Sequence, residues 1–263
     1  MIKRGFGVAA GLDAEVATPL AARCDELGYS SIWSNDHPGA LGLETLAAFA
    51  EGTDRLDLGV AVMALDRHDP IEINGNIERL GLDRDRLWLG VGTGFDRKPL
   101  TTMRRVLPEL RDVVPGVRLV LAAMGPKMCA FGGAEFDGVF FNWMSPAFAA
   151  GAREHVIEGA EEAGREPPPI FGYVRVAVGE DAGERLAKEE SFYRDLHDGY
   201  RNHFDRLGAP EGTVGVAAAN SEESQGALAD HHDALDVVVV RGLASASLEA
   251  MSAVAEASAP ARA

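Results

Sequence analysis

The sequence is short of positive charge. It carries 25 Lys and Arg against 41 Asp and Glu, a formal net charge of −16 at pH 7. A surface so acidic repels phosphate backbones and anionic lipid, which argues against nucleic-acid and membrane partners. Cysteine is nearly absent. Cys24 and Cys129 stand far apart and form no CxxC pair, so two reduced, buried thiols are expected. That scarcity, with no basic-then-apolar leader behind Met1, gives a cytoplasmic expectation. No apolar run reaches the roughly 18 residues of a membrane span. The histidines form no HExxH and no His-x-His, and the serines form no GxSxG elbow, so neither a zinc site nor a serine hydrolase is indicated. His197 and His203 have poor ligand spacing, and His231-His232, in an acidic stretch, is expected in solvent.

What is present is an alternation of strand-like and helix-like segments from end to end. The strands are read at 4–9, 30–35, 56–63, 87–92, 117–123, 138–142, 170–178 and 236–241. The helices are read at 13–27, 42–53, 71–80, 101–113, 126–133, 146–163, 181–207 and 245–257. The strands are rich in Val, Ile and Leu without polar alternation, as in a parallel sheet covered on both faces. Eight such units in 263 residues favour one closed (β/α)8 TIM barrel over an open doubly wound sheet. Two stretches are expected to be flexible, the small-residue loop 217–226 and the tail 257–263.

In such a barrel the reacting groups lie at the carboxyl ends of the strands. After the second strand come Asn35-Asp36-His37-Pro38. His37 is the best general acid/base in the chain, because an imidazole titrates near pH ~6.5. Asp36 either orients it or caps the turn. After the third come Ala61-Val62-Met63 and then Arg67, expected to pair locally with Asp66 or Asp69. After the fourth comes Gly90-Val91-Gly92-Thr93-Gly94-Phe95, whose glycines let a ligand approach the backbone and leave amides free for phosphate or carbonyl oxygens. It is no dinucleotide fingerprint, since Phe95 stands where GxGxxG needs glycine. After the fifth, Gly125-Pro126-Lys127 opens a helical turn that is either an anion site or an ordinary turn. After the sixth, Asn142 offers a donor and an acceptor to a heterocycle edge and Trp143 a flat wall, unless they serve as turn and core. Arg241 sets a cation at the mouth. Trp33, Met63, Phe95 and Trp143 read equally as an apolar pocket or as core.

Taken in order, these segments resemble the luciferase-like oxidoreductases, barrel enzymes that use FMN or the deazaflavin coenzyme F420. The resemblance is carried by 21–33 (AARCDELGYSSIW) with Asp36-His37, by Leu46-Ala47-Ala48 with Thr53-Asp54-Arg55-Leu56, and by 89–94 (LGVGTG). It continues through 122–128 (AAMGPKM), Asp137-Gly138-Val139, Asn142-Trp143-Met144-Ser145-Pro146 and 237–241, and it is nearest to the deazaflavin-linked branch. It implies that the Ala61-Val62 peptide is a non-proline cis bond forming a bulge behind the cofactor's central ring. It implies that Thr93 and Gly94 touch the cofactor side chain, and that Gly125, Pro126 and Lys127 hold its phosphate. It also implies that Asn142 and Trp143 line the same groove and that His37 faces the substrate. Phe95 replaces the Glu of deazaflavin-dependent glucose-6-phosphate dehydrogenases, which argues against that reaction. The connection at 111–116 lacks the hairpin-like excursion of many relatives, so the pocket is expected to be open or completed by a partner chain; dimers are the family habit.

Three readings follow from the resemblance. The first is a hydride transfer between coenzyme F420 and a small organic substrate. The second is an FMN-dependent monooxygenase on the same barrel. The third is a non-catalytic flavin-binding barrel.

Overall fold

Strands buried on both faces must be covered on both sides, and here they close on themselves. The computed structural model describes residues 3–261. In chain order the elements are β1 (Lys3–Val8), α1 (Ala14–Glu26), β2 (Ser31–Ser34), α2 (Gly42–Ala50), β3 (Asp57–Ala64), α3 (Pro70–Arg79), β4 (Leu87–Gly92), α4 (Pro99–Val113) and β5 (Arg118–Ala122). Then follow α5 (Pro126–Glu135), β6 (Gly138–Asn142), α6 (Pro146–Glu162), β7 (Ile170–Val178), α7 (Ala182–Leu196), α8 (Asp198–Leu207), β8 (Val216–Ala218), α9 (Ser221–Ala229), β9 (Val237–Gly242) and α10 (Leu248–Ala257). All pairings of these strands are parallel. β1 to β6 pair in succession, β6 pairs with β7, and β7 pairs with β9, which returns to β1. The expected (β/α)8 TIM barrel is therefore the architecture. No helix among the described residues is long and apolar enough to cross a membrane.

Strand alternation sends every second residue into the barrel. The inward set includes Trp33, Trp88, Phe140, Phe171 and Tyr173, packed with Val120, Val237 and Val239. Ring centroids lie 5.0 Å apart for Trp33 and Phe140 and 4.9 Å apart for Trp88 and Phe171. So large a filling needs small neighbours. A Cβ on Gly59 would fall 2.2 Å from the Trp33 ring, closer than any carbon contact allows. Between barrel and helices runs a larger aliphatic core, which contains both Cys24 and Cys129. Both thiols are free and buried, and burial pushes Cys129 up to about 12 and Cys24 higher still, so they are inert core residues.

The amino-terminal end of the barrel is closed by paired charge. Arg118 bridges Asp57 at 3.0 Å and stacks over Trp88, whose Nε1 also donates to Asp57. Arg4 donates to Gln225 Oε1 and to the carbonyls of Ser258 and Ala259.

Four expectations are corrected here. The helix read at 181–207 is two helices, because His197 is extended (φ −165°, ψ 145°) and its Nδ1 accepts the Gly199 amide to start α8. The loop expected at 217–226 holds β8, which adds to β7 outside the closed ring, and α9, capped by Asn220 on the Glu223 amide. The tail does not fray from Ala257: Ser258 is fully buried, and the Arg4 and Gln225 side chains hold Ser258 and Ala259. Arg262 and Ala263 lie outside the described residues. His231 is buried, not solvated, and His232 lies 3.3 Å from Arg4.

Candidate active site

Two walls face each other across the carboxyl end of the barrel. The first is made by β3 and β4 and is nearly free of side chains. The register between them shifts from Val60 to Met63, and the Ala61-Val62 peptide within that bulge is cis, as the resemblance implies. Gly90 and Gly92 leave the facing side of β4 bare; a Cβ on Gly90 would stand 2.3 Å from the Val60 carbonyl oxygen. Thr93 is buried behind the exposed Gly94, whose φ is +61°. A side chain there would run into the Asp66 carboxylate, which also accepts the Phe95 amide. Beside this wall, α5 begins at Gly125 with no side-chain cap, so its first amides are open to an anion. Lys127 is exposed there and lines an outer groove between α4 and α5 with Arg104 and Glu135.

His37 stands exposed in the turn after β2. Its Nδ1 accepts the Gly39 amide at 3.1 Å, which leaves the proton of the neutral ring on Nε2. Nε2 has only a long contact, 3.4 Å, to the Ala10 carbonyl. Asp36 does not orient this ring. Its carboxylate, 1% exposed, accepts the Gly42 amide at 2.9 Å, Arg67 at 2.8 Å and His68 at 3.0 Å. Arg67 thus pairs across 31 residues with Asp36 rather than with Asp66 or Asp69. A buried carboxylate outcompetes exposed neighbours, because less water screens the pair. Asp36 ties the loops after β2 and β3 into one frame.

The second wall belongs to β6, β7 and β9. Arg175 and Arg241 are register partners on β7 and β9, one layer above Tyr173 and Val239. Both are buried, at 2% and 7% exposure. Arg175 donates to Asn142 Oδ1 and stacks 3.9 Å from the Trp143 ring; its Nε has no partner. Arg241 makes one hydrogen bond, to the Gly242 carbonyl at 3.0 Å. Among the described residues neither has a carboxylate in ion-pair reach. The Tyr173 hydroxyl is also buried without a partner. Burial pushes its pKa up, against the pull of both arginines, so the phenol keeps its proton.

The α7–α8 pair covers this wall. Tyr193 and Trp143 meet edge to face at 5.2 Å, Tyr193 and Tyr200 at 5.1 Å, and Tyr200 reaches Asn142. His197, at the break between the helices, stacks on Phe95 at 4.1 Å and so links the two walls. Trp143 is not the open groove wall expected of it. At φ +54° and 1% exposure it is wedged beneath these helices, and its carbonyl accepts from the buried His203.

Of the residues singled out in the sequence, Ala61, Val62, Thr93 and Gly94 come together on the first wall, and Asn142 and Arg241 on the second. Gly125, Pro126 and Lys127 stand to the side at the head of α5. Tyr173, Arg175, Tyr193 and Tyr200 escaped the reading. The signal for Arg175 is there: it is the one cation in an otherwise apolar strand and keeps parity with Phe171 and Tyr173. Among the described residues no group of three or more His, Cys, Asp or Glu is placed to hold a metal.

The luciferase-like monooxygenase family model matches residues 4–114 and 98–257, two segments that overlap on α4, just before the short connection to β5. A 5,10-methylenetetrahydromethanopterin reductase of Methanolobus tindarius is 24% identical over 201 residues, 62% of this chain and 62% of that protein; the match thus spans under two thirds of that relative. An F420-dependent secondary alcohol dehydrogenase, solved with an F420-acetone adduct, superposes with a TM-score of 0.74 at 13% identity over 98% of this chain and 99% of that one. The FMN-bound oxygenating constituent of 3,6-diketocamphane monooxygenase, a type II Baeyer-Villiger monooxygenase from Pseudomonas putida, gives 0.71 at 13% identity over 99% of each chain. By the extent of the family match and by its fold, the chain belongs to the luciferase-like monooxygenase family.

Proposed function

We propose that the protein is an oxidoreductase that binds a deazaflavin, coenzyme F420, and moves a hydride between it and a small organic substrate. The observation that carries this is the bare β3–β4 wall, where the bulge at Ala61 and Val62 protrudes against glycines. A flat tricyclic ring fits such a surface, because side chains on β4 would exclude it. Thr93, Gly94 and the uncapped start of α5 at Gly125, Pro126 and Lys127 suit a polar, phosphate-bearing tail. A bound deazaflavin supplies two-electron hydride chemistry.

The chain's own residues do the rest. His37 presents Nε2 at the open side of the mouth; as the imidazolium, with its Nδ1 contact to the Gly39 amide given up, it can pass the Nε2 proton to a substrate oxygen as hydride reaches carbon and be left neutral, and in the reverse direction the neutral ring takes that proton back on Nε2. Asp36, through Arg67 and His68, fixes the loop that presents His37; it is a positioning residue. The α7–α8 pair shields the β7–β9 side from water. The F420-dependent secondary alcohol dehydrogenase, on which nearly the whole chain superposes, supports this reading.

An FMN-dependent monooxygenase is the second reading, supported by the equally complete superposition on the FMN-bound monooxygenase. Isothermal titration of the protein with coenzyme F420 and, in parallel, with FMN separates them. Saturable binding of the deazaflavin and not of FMN is expected. Binding of FMN alone overturns the first reading in favour of oxygen chemistry, and binding of neither removes both.

A further inference from the structure

The mouth holds two positive charges that no carboxylate among the described residues answers. At the opposite end of the barrel, buried or half-buried arginines are answered: Arg118 by Asp57, and Arg4 by three acceptor oxygens. At the mouth, Arg175 and Arg241 lie on adjacent strands at one level with no carboxylate between them and most of their N–H groups unassigned. The unpartnered Tyr173 hydroxyl lies one layer below on the same face. Two guanidinium groups buried side by side repel each other, and burial costs each its hydration. Donors of that kind, each with one neutral acceptor and no opposite charge in a chain of net charge −16, mark the place of an anion supplied from outside.

Position decides whose anion it is. Around the closed ring β7 lies four strands from β3, and β9 four strands from β4. The cations therefore stand diametrically across from the bare wall. A ring held against Ala61 and Val62 would have its free face toward them. We propose that Arg175 and Arg241, with the Tyr173 hydroxyl, receive a carboxylate of the substrate, so that the enzyme acts on a small carboxylic acid. The assignment to the substrate rests on the deazaflavin reading above; the anion site itself does not.

The test is calorimetric titration of the cofactor-free protein with benzoate, against its neutral isostere benzamide. Benzoate and benzamide share size and shape and differ in charge, so the pair isolates the charge that the arginines would answer. Saturable benzoate binding is expected, about 10-fold or more tighter than benzamide. Arg241→Gln should weaken benzoate by about 10-fold or more and leave benzamide unchanged, while Arg241→Lys should recover part of the loss. Equal binding of the two probes overturns the proposal without recourse to any variant, as does benzoate binding indifferent to Arg241→Gln in a folded protein. A third arm repeats the titration on protein saturated with coenzyme F420. Benzoate binding should persist; its abolition would give the arginines to the cofactor and overturn the substrate assignment. Should the deazaflavin fail to bind at all while benzoate still does, the cofactor reading falls and the anion site stands.

Discussion

At the scale of single residues, contacts that exclude alternatives matter more than contacts that add energy. Gly59 lies under the Trp33 ring, so Gly59→Ala must displace an indole locked among Phe140 and Phe171. A loss of about 1–3 kcal/mol is expected, read from urea unfolding with an unchanged slope. His37 makes the converse case. Its exposed imidazole contributes little to folding, so His37→Gln should keep the melting temperature while lowering turnover by about 10²-fold or more. Unchanged turnover in that variant would strip His37 of its role. His37 was legible in the sequence because a titratable group directly after a strand is conspicuous. The partners of Asp36 were not legible. They arrive from the next βα loop, and the reading favours nearby charges when it has no distances to weigh.

At the scale of elements, the barrel was readable and its cover was not. Unbroken apolar runs separated by helical periodicity led directly to the eight strands of the closed ring. The break between α7 and α8 carries neither glycine nor proline; it depends on an extended His197 capping its own successor helix. β8 is three residues of Val and Ala, too short and too plain to distinguish from a loop. Arg175 could have been found from parity within β7, which counts inward positions without any tertiary knowledge. The cover also has its own anchor. Glu190, fully buried on α7, accepts Arg194 at 2.8 Å and the amides of Gly212 and Val214 at 3.0 and 3.2 Å. Glu190→Leu strands one guanidinium and two amides, at a cost of about 3–5 kcal/mol. Hydrogen exchange should speed up across α7, α8 and the 208–215 connection and leave β1 to β6 protected. Uniform acceleration through the barrel would mean that cover and barrel open as one unit.

At the scale of the whole molecule, charge and proton uptake set the working range. A net charge of −16 repels itself, so adding salt from low ionic strength should raise the melting temperature. Acid has its own lever. Burial lowers His231 to about 4, from an ordinary value of 6.5. Between those values the unfolded chain takes up a proton that the folded one refuses, so stability falls as pH drops through that window, by about 3 kcal/mol at most. His231→Gln should flatten that part of a melting-temperature profile. One arrangement already described has an optical consequence. Trp33 and Trp88 are packed inside the barrel and Trp143 is wedged beside its mouth, so all three indoles of the chain are built into the one barrel whose mouth would lodge a flavin-like chromophore. Light absorbed by the protein would then drain into such a guest, and the dimming of the protein's own ultraviolet glow would report occupancy with no label attached.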